Sequence, residues 1–243
     1  MRVLCVIPAR YASTRLPGKP LRDIAGRPMI CRVYERAAQA ARIEKALVAT
    51  DDERICEAVR LHGGEAMMTS KDHPTGTDRL AEVAAAYEDM DLIINVQGDE
   101  PLIEPGLIDD LAGLFEEDPE LQMATVMTEL GDEEEAKNPN NVKVVTDQNG
   151  YALYFSRSLL PYPRNAGKSP VYKHIGIYAY RRDFLLRYAK LSPTPLEQAE
   201  SLEQLRALEN GYRIKVLRTD CRFVGVDTEE DLALVNEIYK KME

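Results

Sequence analysis

Three cations, Arg10, Arg15 and Lys19, stand in one loop, "ARYASTRLPGKP", which follows the apolar run "VLCVI" and begins where Pro8 ends it. Arginine can fork onto two phosphate oxygens and lysine adds a compact point charge, so the set suits a polyphosphate. Ala9, Ala12, Ser13 and Gly18 are small enough for a ligand to come close to the backbone. The plain alternative is a basic surface loop whose cations are simply solvated. It is no Walker sequence, because Pro20 follows Gly18-Lys19 where Ser or Thr is required, and it lacks the GxGxxG of a dinucleotide fingerprint. Carboxylates arrive from two other places. The apolar run in "INVQGDEP" ends in Gln97-Gly98-Asp99-Glu100, and the short run in "VGVDTEED" ends in Asp227. Two carboxylates could share a Mg2+ ion, a hard cation that takes oxygen ligands and usually also binds substrate phosphates. Either aspartate could instead be a turn residue or a helix N-cap, most obviously Asp227 just ahead of "TEED". Cations on one loop and acids on two others suggest magnesium-assisted chemistry on a nucleoside triphosphate.

For these loops to meet, the runs that carry them must lie side by side. "VLCVI", "KALVAT", "EAMMT" and "DLIINV" alternate with helical patterns, the signature of a parallel sheet covered by helices. Such a sheet binds ligands at the carboxyl ends of its strands. "PMICRVYERAAQAARI" carries Met29, Val33, Ala37 and Ala41 on one stripe, and "DDERICEAVRLHGG" opens on acids and closes on Gly63-Gly64. After about residue 120 the rhythm changes. "LQMATVMTEL" and "NVKVVTDQNGYALYFSR" predict strands, the latter with a hairpin turn at Asn149-Gly150, and "VYKHIGIYAYRR" predicts a strand alternating by twos. "GDEEEAKNPNN" predicts a solvated connection. "PLEQAESLEQLRALENG" predicts one amphipathic helix with Ala199, Leu202, Leu205 and Leu208 inside, "YRIKVL" a strand, and "TEEDLALVNEIYKKM" a closing helix capped by Thr228. The expected fold is α/β, a Rossmann-like, mostly parallel sheet flanked by helices, with a smaller mixed β subregion in the second half. All of it is expected to form one domain over residues 1–243.

The 243 residues are 44% hydrophobic and 30% charged, with a net charge of −10. That length suits one large α/β domain. So acidic a chain lacks the basic footprint of a nucleic-acid binder. Cys5, Cys31, Cys56 and Cys221 are scattered without a CxxC pair, which predicts buried reduced thiols, and His62 and His73 have no metal-ligand spacing. No apolar run approaches the roughly 20 residues of a membrane span. The start shows no basic segment followed by a long apolar one, so a cytoplasmic location is expected.

The blocks "IPARYASTRLPGKPL", "VATDDERI", "GTDRLAE", "INVQGDEPLI", "NVKVVTDQNGYALYFSRSLLPY", "KHIGIYAYRR", "LEQLRALENG" and "GVDTEEDL" occur in this order across nearly the whole chain. Together they resemble the 3-deoxy-manno-octulosonate (Kdo) cytidylyltransferases, or CMP-Kdo synthetases. The first and fourth blocks are shared more loosely with sialic acid cytidylyltransferases and other sugar nucleotidyltransferases, and those from "YALYFSR" onward narrow the match. The resemblance implies a nucleotide-diphospho-sugar transferase fold, with a nucleotide-binding part over 1–120 and a sugar-binding and dimerisation part over 121–225. It implies that the anomeric hydroxyl of Kdo attacks the α-phosphorus of CTP, releasing pyrophosphate and giving CMP-Kdo for lipopolysaccharide synthesis.

By the same resemblance, Arg10, Arg15 and Lys19 would hold the triphosphate and offset charge on the leaving pyrophosphate, while Asp99 and Asp227 would bind Mg2+. Pro8, Ala9, Arg10 and Lys19 would form the nucleotide site with Thr75 and Gly76. There Thr75 would supply the hydroxyl that many relatives place before the glycine. The sugar would meet Gln97, Arg157 and Arg164, together with His174, Tyr178, Glu203 and Gln204. His174 and Tyr178 stand four apart in a strand and so share a face. His174 could equally be a hydrogen-bonded strand residue, and Glu203 and Gln204 could face solvent. A homodimer formed through the latter half is expected. The 8-amino analogue of Kdo and the nonulosonates stay open as acceptors, and a non-catalytic regulatory nucleotide-binding protein stays open as a rival.

Overall fold

The computed structural model describes residues 1–12, 16–165 and 167–242. β1 (Val3–Ala9) leads through a 3-10 turn at Lys19–Leu21 into a small hairpin of β2 (Asp23–Ile24) and β3 (Arg27–Pro28). Then follow α1 (Met29–Ala37), β4 (Lys45–Thr50), α2 (Glu53–Leu61), β5 (Ala66–Met68), α3 (Gly76–Ala86), β6 (Leu92–Asn95) and α4 (Pro105–Glu117). The second half runs β7 (Met123–Leu130), α5 (Glu133–Lys137), β8 (Lys143–Thr146), β9 (Ala152–Ser156), β10 (Val171–Arg181) and α6 (Arg182–Tyr188). It closes with α7 (Pro195–Glu200), α8 (Leu205–Glu209), β11 (Lys215–Arg218) and α9 (Glu229–Met242).

All strands but the small hairpin join one sheet in the order β11-β7-β10-β6-β1-β4-β5, with β8 on β10 and β9 on β8. β6, β1, β4 and β5 are mutually parallel, as is the β11–β7 pair, whereas β10 runs antiparallel to both β6 and β7. The expected parallel sheet and its mixed subregion are therefore both present, and they are continuous.

β1 is apolar along its length because both of its faces are covered. Val3, Cys5 and Ile7 pack in a cluster with Ile55, Val59 and Ile108 from the helices of one layer. Leu4 and Val6 pack with Leu80, Val83 and Phe184 from the other. Full burial of each such side chain is worth about 1.5–3 kcal/mol, so the strand ends at the carboxyl edge rest on a stiff frame. A third cluster has a positional task. Leu232, Val235 and Tyr239 of α9 pack on Ile24, Met29 and Leu16, and the Tyr239 hydroxyl donates to the Pro101 carbonyl at 2.5 Å. That pins the chain's last helix beside the loops after β1 and β6.

Several local expectations are corrected. "PLEQAESLEQLRALENG" is two short helices, broken where Ser201 adopts φ +53° in the left-handed region. Leu202 and Leu205 are buried but Ala199 is exposed, so a buried Glu197–Arg206 pair takes the place of part of the apolar stripe. "GDEEEAKNPNN" holds α5, capped by the Asp132 side chain. α1 stops at Ala37, which leaves Ala41 exposed beyond its end. β10 does not alternate evenly. Ile175 pairs with Val126 and Tyr178 with Thr125, so Gly176 and Ile177 bulge out of register. Because the insertion is two residues, side-chain parity survives and His174 still shares a face with Tyr178, their rings 5.4 Å apart. All four cysteines are free; Cys5, Cys31 and Cys56 are buried, while Cys221 is half-buried.

Candidate active site

Asp99 and Asp227, 128 positions apart in the chain, meet at one ammonium group. Lys19 Nζ lies 2.7 Å from Asp99 Oδ2 and 2.9 Å from Asp227 Oδ1. Backbone pairing makes the approach possible, for Val226 N–H donates to the Asp99 carbonyl at 2.9 Å and so sets the two aspartates beside each other. The helix that follows is capped by Thr228, whose hydroxyl accepts from Asp231 N–H while the Asp231 carboxylate accepts from the Asp227 and Thr228 amides. Asp227 is therefore not the cap, and its carboxylate faces the cleft. Burial works against the Lys19 charge, but Asp99 and then Asp227 outweigh it and hold the ammonium above its ordinary value.

These groups line a cleft of about 360 Å³ together with Pro8, Ala9, Arg10, Gln97 and Gly98. Arg10 reaches across to the turn before α3, donating to the His73 carbonyl at 2.5 Å. Gly98 is needed where it stands: a Cβ there would lie 2.8 Å from the Pro8 carbonyl oxygen. Next to Asp99, burial and then the Asp99 charge push Glu100 up to about 7, and its Oε2 is buried without a partner among the described residues. Arg15 falls outside the described residues.

A second cavity of about 200 Å³ adjoins the cleft at Pro8 and Gln97. It is lined by Gly76, Tyr178, Glu203 and Gln204 among others. The Gln97 amide donates to the Gly176 carbonyl at 2.9 Å, so the β10 bulge fixes the residue shared by both spaces. The break at Ser201 turns Glu203 and Gln204 inward. Burial raises the Glu203 carboxyl above its ordinary range, opposed by the neighbouring Thr77 and Thr75 side chains.

Other candidates lie elsewhere. His174 is buried behind Tyr178 and lines neither space; its Nε2 is 2.9 Å from Thr125 Oγ1, and burial lowers it to about 3. Thr125 Oγ1 has one hydrogen and is 2.8 Å from the Ile177 carbonyl, so the neutral imidazole donates to it. Arg157 donates to the carbonyls of Glu200, Pro139 and Ser201, buttressing the α7–α8 break from behind. Arg164 is exposed in the loop before β10 and lines neither cavity. The Thr75 hydroxyl donates to Asp78 and accepts from its amide, closing a capping box at α3, so the cap takes the hydroxyl expected for the base.

Residues 4–215 match the family model described as cytidylyltransferase. A 3-deoxy-manno-octulosonate cytidylyltransferase of Fusobacterium nucleatum is 55% identical over 241 residues, covering 99% of this chain and 98% of that one. One of Geotalea uraniireducens is 56% identical over 252 residues, covering 99% and 100%. The chain belongs to the 3-deoxy-manno-octulosonate cytidylyltransferase family. A solved structure of CMP:2-keto-3-deoxy-manno-octonic acid synthetase complexed with CTP superposes with a TM-score of 0.96 at 48% identity over the whole of both chains. A 4-diphosphocytidyl-2C-methyl-D-erythritol synthase of Anaerococcus prevotii, at 13% identity and a TM-score of 0.65, shares the fold.

For a chain of this family, sequence inspection overlooked Asn95, Thr77, Tyr180 and Tyr188, which also line the second cavity. Asn95 carried a signal, being the polar last residue of an otherwise apolar strand at the sheet's carboxyl edge. The tyrosines did not, since an aromatic residue in a strand or a short helix ordinarily belongs to the core.

Proposed function

We propose that this cytidylyltransferase moves CMP from CTP to the anomeric hydroxyl of Kdo, giving CMP-Kdo and pyrophosphate for lipopolysaccharide synthesis. The observation that carries this reading is the Lys19 ammonium held between Asp99 and Asp227 in a cleft that opens, past Gln97, onto a cavity lined by polar and tyrosine side chains. Lys19 keeps its proton because two carboxylates surround it, so its charge is ready for the leaving pyrophosphate. Such fixed charge does more in a partly desolvated cleft than in water. Arg10, which lines the same cleft, would add a second charge for the phosphates, and Arg15 is expected to join it. Pro8, Ala9 and Gly76 supply close backbone for the nucleotide. Gln97, Tyr178, Glu203 and Gln204 receive the sugar, while His174 and Arg157 hold the walls they stand on.

Asp99 and Asp227 fit Mg2+ as a donor set. They are oxygen-only, part-exposed and already paired around one cation, and water with substrate phosphate would complete the shell. Bound there, Mg2+ supplies charge neutralisation to the phosphates. Pairing with a second copy through the latter half is supported by the exposed Leu153 on β9 and Tyr162 in the next loop, and light scattering tests it.

The deciding experiment is pyrophosphate release from CTP with Mg2+ and, in parallel, Kdo, 8-amino-Kdo and sialic acid. Release with Kdo is the expected result. Release with only sialic acid overturns the acceptor, release with only 8-amino-Kdo moves the assignment to that sugar, and none with any acceptor removes the enzymatic reading.

A further inference from the structure

The second cavity contains polar atoms that the protein itself leaves unmet. Asn95 and Gln204 are only 6% and 4% exposed, yet among the described residues Asn95 Oδ1 and Gln204 Nε2 have no hydrogen-bond partner. Glu203 Oε1 is a third such atom, 3.6 Å from the Arg206 guanidinium and too far for a hydrogen bond. Each buried polar group left unsatisfied costs the folded state its lost hydration, and native proteins hold few of them. Three that line one cavity of about 200 Å³ are therefore best explained by a ligand that completes them.

The position of Asn95 sharpens the point. It ends β6, directly opposite Val6 of β1 and Tyr178 of β10 in the register. Ile93 and Asn95 point to the same face, and Ile93 sits in the apolar cluster. An apolar residue could continue that cluster; an amide there spends stability without a return in the free protein. The set mixes acceptors (Asn95 Oδ1, Glu203 Oε1) with a donor (Gln204 Nε2). Hydroxyl groups, each both donor and acceptor, satisfy such a mixture.

We infer that Asn95 is a specificity-determining residue for the acceptor, its carboxamide hydrogen-bonding hydroxyls of the sugar's polyol chain in the cavity it shares with Gln204. This rests on the cytidylyl transfer proposed above, and wild-type turnover with Kdo is the control that separates the two. The variants are Asn95→Leu, close in shape and apolar, and Asn95→Ala, which leaves room for the sugar. Both should raise the KM for Kdo by tenfold or more, the scale of losing a hydrogen bond to a buried group. The KM for CTP should stay within about twofold of wild type. The melting temperature of the Leu variant should be unchanged or higher, because an orphaned polar group has been removed. A structural amide would behave oppositely: if both variants melt well below wild type with an unchanged Kdo KM, the inference fails. A rise in the CTP KM alone assigns Asn95 to the nucleotide and equally overturns it.

Discussion

Replacing Lys19 with Met keeps most of the stem and deletes the charge between Asp99 and Asp227. Two charge-assisted hydrogen bonds, at 2.7 and 2.9 Å, are lost. Bonds of that kind are worth about 1.5–3 kcal/mol each when desolvated. Here the lysine side chain is 15% exposed, but the carboxylates are 33% and 44% exposed. Solvent screening pulls the pair toward the surface value of about 0–1 kcal/mol each. A net destabilisation of roughly 1–3 kcal/mol follows, which for a chain of this size lowers the melting temperature by about 3–10 °C. The rate should suffer more than the fold. Removing one group aimed at developing charge costs about 10²–10³ in kcat. Steady-state pyrophosphate release with CTP and Kdo, beside calorimetry on the same preparation, reads both quantities. A variant that melts several degrees lower but turns over at nearly the wild-type rate would refute the reasoning, leaving Lys19 as a clip between two loops.

The buried His174 predicts acid sensitivity. Its folded value is lowered by burial from 6.5 to about 3, so between those limits the unfolded chain binds a proton that the native one does not. Stability then falls as pH drops through that window, by up to about 1.4 kcal/mol per unit. His174→Gln, which keeps a donor for Thr125, should flatten that part of a urea-unfolding profile, and an unchanged slope would assign the acid sensitivity to other groups. Gly98→Ala should cost about 1–3 kcal/mol, the usual scale of overpacking, and raise the CTP KM, because the new Cβ meets the Pro8 carbonyl oxygen rather than a side chain that could move. Wild-type values of both would show that the loop yields freely.

Much of the site could be read from the chain because its information is local. An apolar run followed by Pro8 and a loop with Lys19 declares a strand end with cations. "INVQGDEP" declares a strand end with Asp99, and "VGVDTEED" a carboxylate just ahead of a capped helix. Side-chain period, turn residues and charge type survive without any contact, so fold class and the two carboxylates were legible. What depended on partners was not. That Asp227 meets Asp99 follows from the Val226–Asp99 backbone bond and from Tyr239 anchoring α9 on the Pro101 carbonyl. The second cavity depends on the left-handed Ser201, which opens one predicted helix into two, and on the β10 bulge that holds Gln97. Arg157 and Thr75 have the chemistry of ligand-binding residues, but tertiary neighbours claim them first, a row of carbonyls in one case and a helix cap in the other. Sequence determines which groups are available. Only long-range hydrogen bonding and packing decide which of them are already satisfied.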